Sequence, residues 1–168
     1  MTIRAFAAFS KRHPNASLTI AGDGPLRGAL EEMTTRLRLE GRIHFAGFVS
    51  QSALLDLYRK SHLFLHPSEQ TPDGDREGIP NSLLEAMATG LPCITTRHAG
   101  IPEAVSHLES GIMVRESDQQ GIVEWLESLT CDDELRNSLG VRAARVIAEK
   151  FDLALQIEKL EEIYLSLA

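Results

Sequence analysis

The stretch that decides the fold is Glu77-Gly78-Ile79-Pro80-Asn81-Ser82-Leu83-Leu84-Glu85-Ala86-Met87-Ala88. A turn containing glycine and proline leads into an amphipathic helix, with Glu77 before the turn and Glu85 on the helix. The first backbone N–H groups of a helix lack partners within it, so this helix start is a candidate anion site. Two carboxylates around such a site suit a polyhydroxylated phosphate ester, because they accept hydrogen bonds from hydroxyls while the helix end binds phosphate.

Both acids also have a simpler structural interpretation. Residues 82–85 fit a capping box, in which Ser82 caps the helix and Glu85 bonds back to the Ser82 N–H. Glu77 could be a solvated loop acid, although it stands after a strand and before a helix, where open α/β sheets bind ligands. Helical spacing puts Asn81 on the face of Ser82 and Glu85 and leaves other positions free to face the core: Leu83, Leu84 and Met87.

Working outward, short apolar strands alternate with amphipathic helices. Strands are predicted at 18–21, 43–45, 63–65, 92–96 and 112–114, and everything after Asp118 is predicted to be helical. This alternation predicts a Rossmann-like parallel sheet with helices on both faces and a helical C-terminal tail. Met1 lies at or near the start of a predicted helix with no strand before it. We therefore expect the chain to be a piece of a longer protein.

Composition and charge argue against some classes of function. A chain of 168 residues fits one domain, and a net charge of −7 argues against a nucleic-acid surface, which needs clustered Lys and Arg. No signal peptide or membrane-spanning run is visible, which predicts a cytoplasmic location. Cys93 lies in an apolar run and is predicted to be a buried free thiol, and no spacing of cysteines suggests a metal site.

The chain also contains several weaker motifs. Residues 22–28, Gly-Asp-Gly-Pro-Leu-Arg-Gly, superficially resemble a dinucleotide fingerprint. Pro25 removes an N–H and Asp23 adds a negative charge where a pyrophosphate would bind, so a nicotinamide or flavin site is not favoured. Asp73 and Asp75 are interpreted as solvated acids rather than a metal pair. His66 and His98 follow strands and could line a cleft, but neither stands out as a general base.

Five motifs in register resemble the C-terminal half of retaining glycosyltransferases of family four, also called group 1 glycosyl transferases, which have the GT-B fold. The resemblance covers about residues 3 to 165 and is carried by these segments: 18–26 (LTIAGDGPL), 45–49 (FAGFV), 77–88, 90–92 (GLP) and 100–103 (GIPE). One such motif would be weak evidence, whereas five in the family's order are specific.

The resemblance implies a nucleotide-sugar donor domain at 1–150 and a C-terminal helix at 151–168 that packs toward an N-terminal domain. It assigns Glu77, the candidate catalytic residue, to contacts with the hydroxyls of the donor sugar and Glu85 to the ribose hydroxyls. It assigns the remaining donor-binding roles to backbone and loop residues: Gly22, Gly24, Phe48, Val49, Gly78, Ile79, Pro80, Asn81, Ser82, Leu83 and Leu84. No metal and no cofactor are expected.

Two departures from the family pattern matter. Ala99 stands where many members have a glycine, and the family's Gly-Arg…Lys-Gly stretch, whose cations neutralise the donor diphosphate, would precede residue 1. The acceptor, a sugar or lipid-linked sugar, would bind through the absent N-terminal domain, where any membrane contact would also lie. The insertion at 71–76 is similar to that of bacterial exopolysaccharide members.

The resemblance implies sugar transfer from a nucleoside diphosphate sugar to an acceptor hydroxyl, with retention at the anomeric carbon, in polysaccharide or glycoconjugate biosynthesis. The chain alone is expected to bind nucleotide weakly and to transfer no sugar. Two alternatives stay open at this stage: a nucleotide-sugar 2-epimerase, which shares the two-domain architecture, and a non-catalytic nucleotide-binding module.

Overall fold

The computed structural model describes residues 1–70 and 78–167, so Glu77, Asp73 and Asp75 lie outside the described residues. It confirms the predicted alternation of helices and strands. The elements, in chain order, are α1 (Thr2–Phe9), β1 (Leu18–Ala21), α2 (Arg27–Arg36), β2 (Ile43–Gly47), α3 (Gln51–Lys60), β3 (Phe64–His66), α4 (Asn81–Ala88), β4 (Cys93–Thr96), α5 (Ile101–Ala104), β5 (Ile112–Val114), α6 (Gln119–Cys131), α7 (Asp133–Lys150) and α8 (Leu153–Ser166).

All pairings between these strands are parallel, as predicted. The sheet, however, is divided into two hydrogen-bonded parts: β1 pairs with β2, and β3, β4 and β5 pair in that order. Within the described residues no pairing joins β1 to β3. A cavity of about 1330 Å³ is lined by the residues of both strands, 18–21 and 64–66.

Helices cover the sheet in two packed pairs. The first pair is α1 with α6, and the second is α4 with α7. Strand β4 packs against both helix pairs, because successive side chains of a strand point to opposite faces of the sheet. Ile94 belongs to the core with α1 and α6, whereas Cys93 belongs to the core with α4 and α7. The fold is therefore an α/β layered domain with the predicted Rossmann-like arrangement.

Cys93 is a free, fully buried thiol, as predicted. Burial raises the pKa of this thiol to about 12, so it stays protonated at neutral pH. Its sulfur also fills the space beside Gly111, where an added Cβ would lie 2.5 Å from the Cys93 Sγ. Cys93 is thus a packing residue of the second core.

Helix boundaries follow local signals with small corrections. Ser50 caps α3 by accepting from the Ala53 N–H at 3.3 Å. Gly90, with φ +78°, follows α4 in the left-handed conformation that favours glycine at a helix end. The first helix begins at Thr2, and Leu26 is the N-cap residue of α2.

The C-terminal helix α8 contributes no buried residue. Its N-terminus is capped by Asp152, whose carboxylate accepts from the N–H groups of Ala154 and Leu155. Several large apolar side chains of this helix are exposed, among them Leu160, Ile163 and Leu165. None of the described helices is long and apolar enough to cross a membrane.

Candidate functional site

The N-terminus of α4 is formed by Pro80, which caps the helix in an extended conformation and carries no capping side chain. The N–H groups of Leu83 and Leu84 both donate to the Pro80 carbonyl, at 3.0 and 3.2 Å. The N–H groups of Asn81 and Ser82 have no acceptor among the described residues. Two backbone donors are therefore available to an anion at this end of the helix.

The capping-box interpretation of residues 82–85 is wrong. Ser82 lies inside α4, and no side chain caps this helix. Glu85 bonds instead to the hydroxyl of Tyr58 on α3, which lies 3.3 Å from Glu85 Oε2 and 3.2 Å from the Ser82 carbonyl oxygen. The capping box is absent because the helix begins at Asn81, with Pro80 as its N-cap, so Ser82 lies in the first turn rather than at the capping position.

Tyr58 is a component of this site that the sequence patterns did not indicate. Its ring is buried and packs edge-on against Phe64, with 5.8 Å between ring centroids. Burial, followed by the neighbouring Glu85 carboxylate, raises the pKa of Tyr58 to about 12. The phenol therefore remains protonated at neutral pH and can donate to Glu85. Its position within the apolar stripe of α3 is the only sequence signal, and it predicts burial rather than this contact.

Two glycine turns lie together near the ends of β1 and β2. Gly22, with φ +115°, donates its N–H to the Gly47 carbonyl at 2.8 Å, and Gly47 itself has φ +63°. Both conformations are ones that residues with a Cβ rarely adopt. The bridge carries Phe48 beside the turn, where its side chain is 86% exposed. An exposed phenylalanine ring offers an aromatic surface against which a ligand can pack.

The charge of Asp23 is balanced within this turn. Asp23 Oδ2 lies 2.8 Å from Arg27 Nη1, and Arg27 Nε lies 2.9 Å from Glu31 Oε1. The hydrogen bond from Arg27, followed by that from the Gly24 N–H, lowers the pKa of Asp23. The negative charge that the sequence places beside a candidate phosphate site is thus paired with a guanidinium.

Gly78 and Ile79 are held against the turn before α5. A Cβ on Gly100 would lie 3.0 Å from Ile79 Cγ1 and 3.2 Å from the Gly78 carbonyl carbon. Gly100 therefore allows the two backbones to approach closely. Ala99, the departure from the family pattern, has φ +42° and adopts a left-handed conformation despite its side chain.

The segment that leads into 71–77 is anchored from several sides. The hydroxyls of Thr95 and Thr96 donate to the carbonyls of His66 and Ser68. The Gln70 N–H donates to Glu116 at 3.2 Å, and the other oxygen of Glu116 lies 2.8 Å from Nδ1 of the buried His98. His98 thus supports a loop rather than lining a cleft, whereas His66 lines the cavity.

The structure brings only some of the predicted residues to one surface. Those that line the cavity are Gly22, Phe48, Val49 and Ser82. The other predicted residues within the described ranges do not line the cavity: Gly24, Gly78, Ile79, Pro80, Asn81, Leu83, Leu84 and Glu85. Leu83 is fully buried, so only its backbone can contribute to a ligand site. In residues 1–70 and 78–167 no group of three or more His, Cys, Asp or Glu side chains could hold a metal ion.

Comparison with known proteins identifies the family. The family model of glycosyl transferases group 1 matches residues 1–146. The chain is 34% identical over 150 residues to an N-acetyl-alpha-D-glucosaminyl L-malate synthase of Bacillus anthracis, covering 89% of this chain and 37% of that protein. It is 36% identical over 134 residues to a putative colanic acid biosynthesis glycosyltransferase of Salmonella typhimurium, covering 79% of this chain and 33% of that protein.

Solved structures show the same fold. The HepE protein of Anabaena, in complex with UDP-glucose, superposes with a TM-score of 0.85 at 24% identity over 98% of this chain and 44% of that chain. The C-terminal domain of a glycosyl transferase group 1 family protein of Francisella tularensis gives a TM-score of 0.77 at 23% identity over 90% of this chain and 78% of that chain. The chain spans about a third of the length of the two curated relatives above. It belongs to the group 1 glycosyl transferases.

Proposed function

We propose that this chain forms the donor-binding part of a glycosyltransferase that moves a sugar from a nucleoside diphosphate sugar to an acceptor hydroxyl, with retention at the anomeric carbon. The observation that carries the proposal is the pair of available N–H groups at Asn81 and Ser82 beside a carboxylate, Glu85, that Tyr58 holds in place. The family supports it, as does the HepE structure with UDP-glucose.

Each part of the site has a role in this proposal. The N–H groups at the start of α4 bind the diphosphate, and Glu85 accepts hydrogen bonds from the ribose hydroxyls. Phe48, Val49 and the Gly22–Gly24 turn flank the nucleotide, while the backbone of 78–84 cradles sugar and diphosphate. Glu77 orients the donor sugar and stabilises positive charge on its ring.

The chemistry follows from where charge develops. The bond from the anomeric carbon to the diphosphate oxygen breaks, the bond to the acceptor oxygen forms, and the acceptor proton leaves with the diphosphate. Negative charge builds up on the leaving diphosphate, so fixed N–H dipoles aimed at it stabilise the transition state. The reaction needs no metal in this proposal, and no cofactor besides the donor.

The surroundings of the domain are part of the proposal. Residues 1–150 hold the donor, and 151–168 form a helix that packs toward a further domain, which binds an acceptor sugar or lipid-linked sugar. The role in polysaccharide or glycoconjugate biosynthesis is supported by relatives named for colanic acid and amylovoran biosynthesis.

A titration of the chain with UDP, GDP, ADP and CMP, followed by calorimetry, tests the proposal. We expect one nucleotide to bind in preference to the others and Glu85→Ala to weaken that binding by about tenfold or more. Glu40→Ala, which removes an exposed acid elsewhere, is the control and should bind like the parent. Equal affinity of the Glu85→Ala variant would remove Glu85 from the site, and failure of all four nucleotides to bind would contradict donor binding by this chain.

A further inference from the structure

A histidine and a glutamate join the carboxyl ends of two neighbouring strands. β4 and β5 end in register at Thr96 and Val114, and His98 and Glu116 each stand two residues further along the chain. His98 Nδ1 lies 2.8 Å from Glu116 Oε1, and the histidine is buried. An ionised carboxylate only accepts hydrogen bonds, so Nδ1 carries a proton and donates it. The pair therefore links the ends of β4 and β5 through one charge-assisted hydrogen bond.

The same pair holds the segment that follows β3. The second oxygen of Glu116, Oε2, accepts from the Gln70 N–H at 3.2 Å. The start of this segment is attached to β4, because the Thr95 hydroxyl donates to the His66 carbonyl at 2.8 Å. The position of Gln70 thus depends on Glu116, and the direction of the Glu116 carboxylate depends in turn on His98.

On its other side the pair holds the turn before α5. His98 begins this turn, and its carbonyl accepts from the Ile101 N–H at 3.0 Å. The turn packs against the backbone before α4, since a Cβ on Gly100 would lie 3.0 Å from Ile79 Cγ1 and 3.2 Å from the Gly78 carbonyl carbon. A displacement of the His98 turn would therefore move the surface on which Gly78 and Ile79 rest.

Backbone strain follows each member of the pair. Ala99 directly follows His98 with φ +42°, and Ser117 directly follows Glu116 with φ +59°. Residues with a side chain adopt this left-handed conformation at a cost in free energy, and such strain persists where the surrounding contacts enforce it. The bond between His98 and Glu116 joins the two strained turns, so each turn helps to fix the other.

We infer that His98 and Glu116 are positioning residues for the donor sugar. The inference rests on the proposed function, in which the backbone that begins at Gly78 cradles that sugar. The proposed ribose contact is held separately, because Glu85 bonds to Tyr58 on α3. Loss of the bond between His98 and Glu116 should therefore weaken contacts with the sugar and spare contacts with the nucleotide.

Calorimetric titration of the full chain with UDP and with UDP-glucose tests this inference. His98→Leu fills the buried position without a polar atom. We expect it to weaken UDP-glucose binding by about fivefold or more and UDP binding by less than about twofold. His98→Asn should restore the affinity for UDP-glucose, because the amide nitrogen of asparagine can donate from the place of Nδ1.

A second variant tests the pair from its other member. Glu116 is 38% exposed, so Glu116→Gln should fold even if His98→Leu does not. Glutamine offers one acceptor oxygen to the two donors at His98 and Gln70, so we expect the same selective loss of UDP-glucose affinity. Glu109→Gln, which neutralises an exposed acid elsewhere, is the matched control and should bind both ligands like the parent.

The two ligands separate this inference from the proposed function. If the parent chain binds both and the variants at 98 and 116 lose the same factor for each, the pair is purely structural and the inference is overturned. Unchanged UDP-glucose affinity in His98→Leu and Glu116→Gln would also overturn it, as would a loss in His98→Asn as large as that in His98→Leu. Failure of the parent to bind either ligand would contradict the proposed function itself, and this inference with it.

Discussion

At the scale of single residues, the contact between Tyr58 and Glu85 ties the candidate site to the core. We predict that Tyr58→Phe weakens UDP binding by roughly three- to tenfold, because the Glu85 carboxylate loses the donor that orients it, at 3.3 Å. Binding of inorganic pyrophosphate, which has no ribose, should be unchanged. Calorimetric titrations of both ligands measure the two effects separately.

The chain offers a matched control for this substitution. Its other tyrosine, Tyr164, is exposed on α8, so Tyr164→Phe should change neither affinity. If Tyr58→Phe weakened UDP and pyrophosphate equally, the effect would be a general disturbance of α4. Unchanged UDP binding would show that Glu85 does not depend on Tyr58.

Neighbouring positions 99 and 100 both favour glycine, for different physical reasons. Ala99 has φ +42°, a conformation that costs an alanine about 1 kcal/mol, so Ala99→Gly should stabilise the fold by up to about that amount. Gly100→Ala should destabilise it by about 1–3 kcal/mol, since the new Cβ would lie 3.0 Å from Ile79 Cγ1. Urea unfolding, monitored by Trp125 fluorescence, measures both. Changes of the same sign would contradict the prediction.

At the scale of elements, one arginine fixes the connection from α1 to β1. Arg42 donates to the carbonyls of Ser10, His13 and Ala16, at distances from 2.6 to 3.4 Å. The single ammonium of lysine cannot satisfy this set of acceptors from one position. We predict that Arg42→Lys lowers the free energy of unfolding by about 2 kcal/mol, measured by urea denaturation.

The control for this prediction is Arg36→Lys. Arg36 is largely exposed and its nearest acidic partner, Glu32, lies 4.0 Å away. Its replacement should change the free energy of unfolding by less than about 0.5 kcal/mol. Equal losses in the two variants would mean that the bonds of Arg42 contribute no more than an exposed ion pair.

At the scale of the whole molecule, features set by adjacent residues could be predicted from the sequence, whereas contacts between distant residues could not. Apolar runs predicted the strands and the α/β class, because these features depend on a few adjacent residues. The divided sheet was not predictable, since strand pairing joins residues far apart in sequence. The Tyr58–Glu85 contact joins residues 27 positions apart for the same reason. Glu77 lies outside the described residues, so its role stays a prediction.

The C-terminal helix α8 lies outside the hydrophobic core. Phe151 packs against the second core, whereas α8 contributes no buried residue. We predict that removing 152–168 shifts the melting temperature by less than about 2 °C and leaves UDP affinity unchanged, because little apolar surface is lost from the core. Thermal unfolding followed by Trp125 fluorescence provides the measurement, and Trp125 itself packs against His107, far from the truncated segment in sequence.

The truncated chain should also associate less, since Leu160, Ile163 and Leu165 are exposed in the parent. A fall of more than about 5 °C would contradict the prediction, because it would mean that α8 stabilises the domain itself.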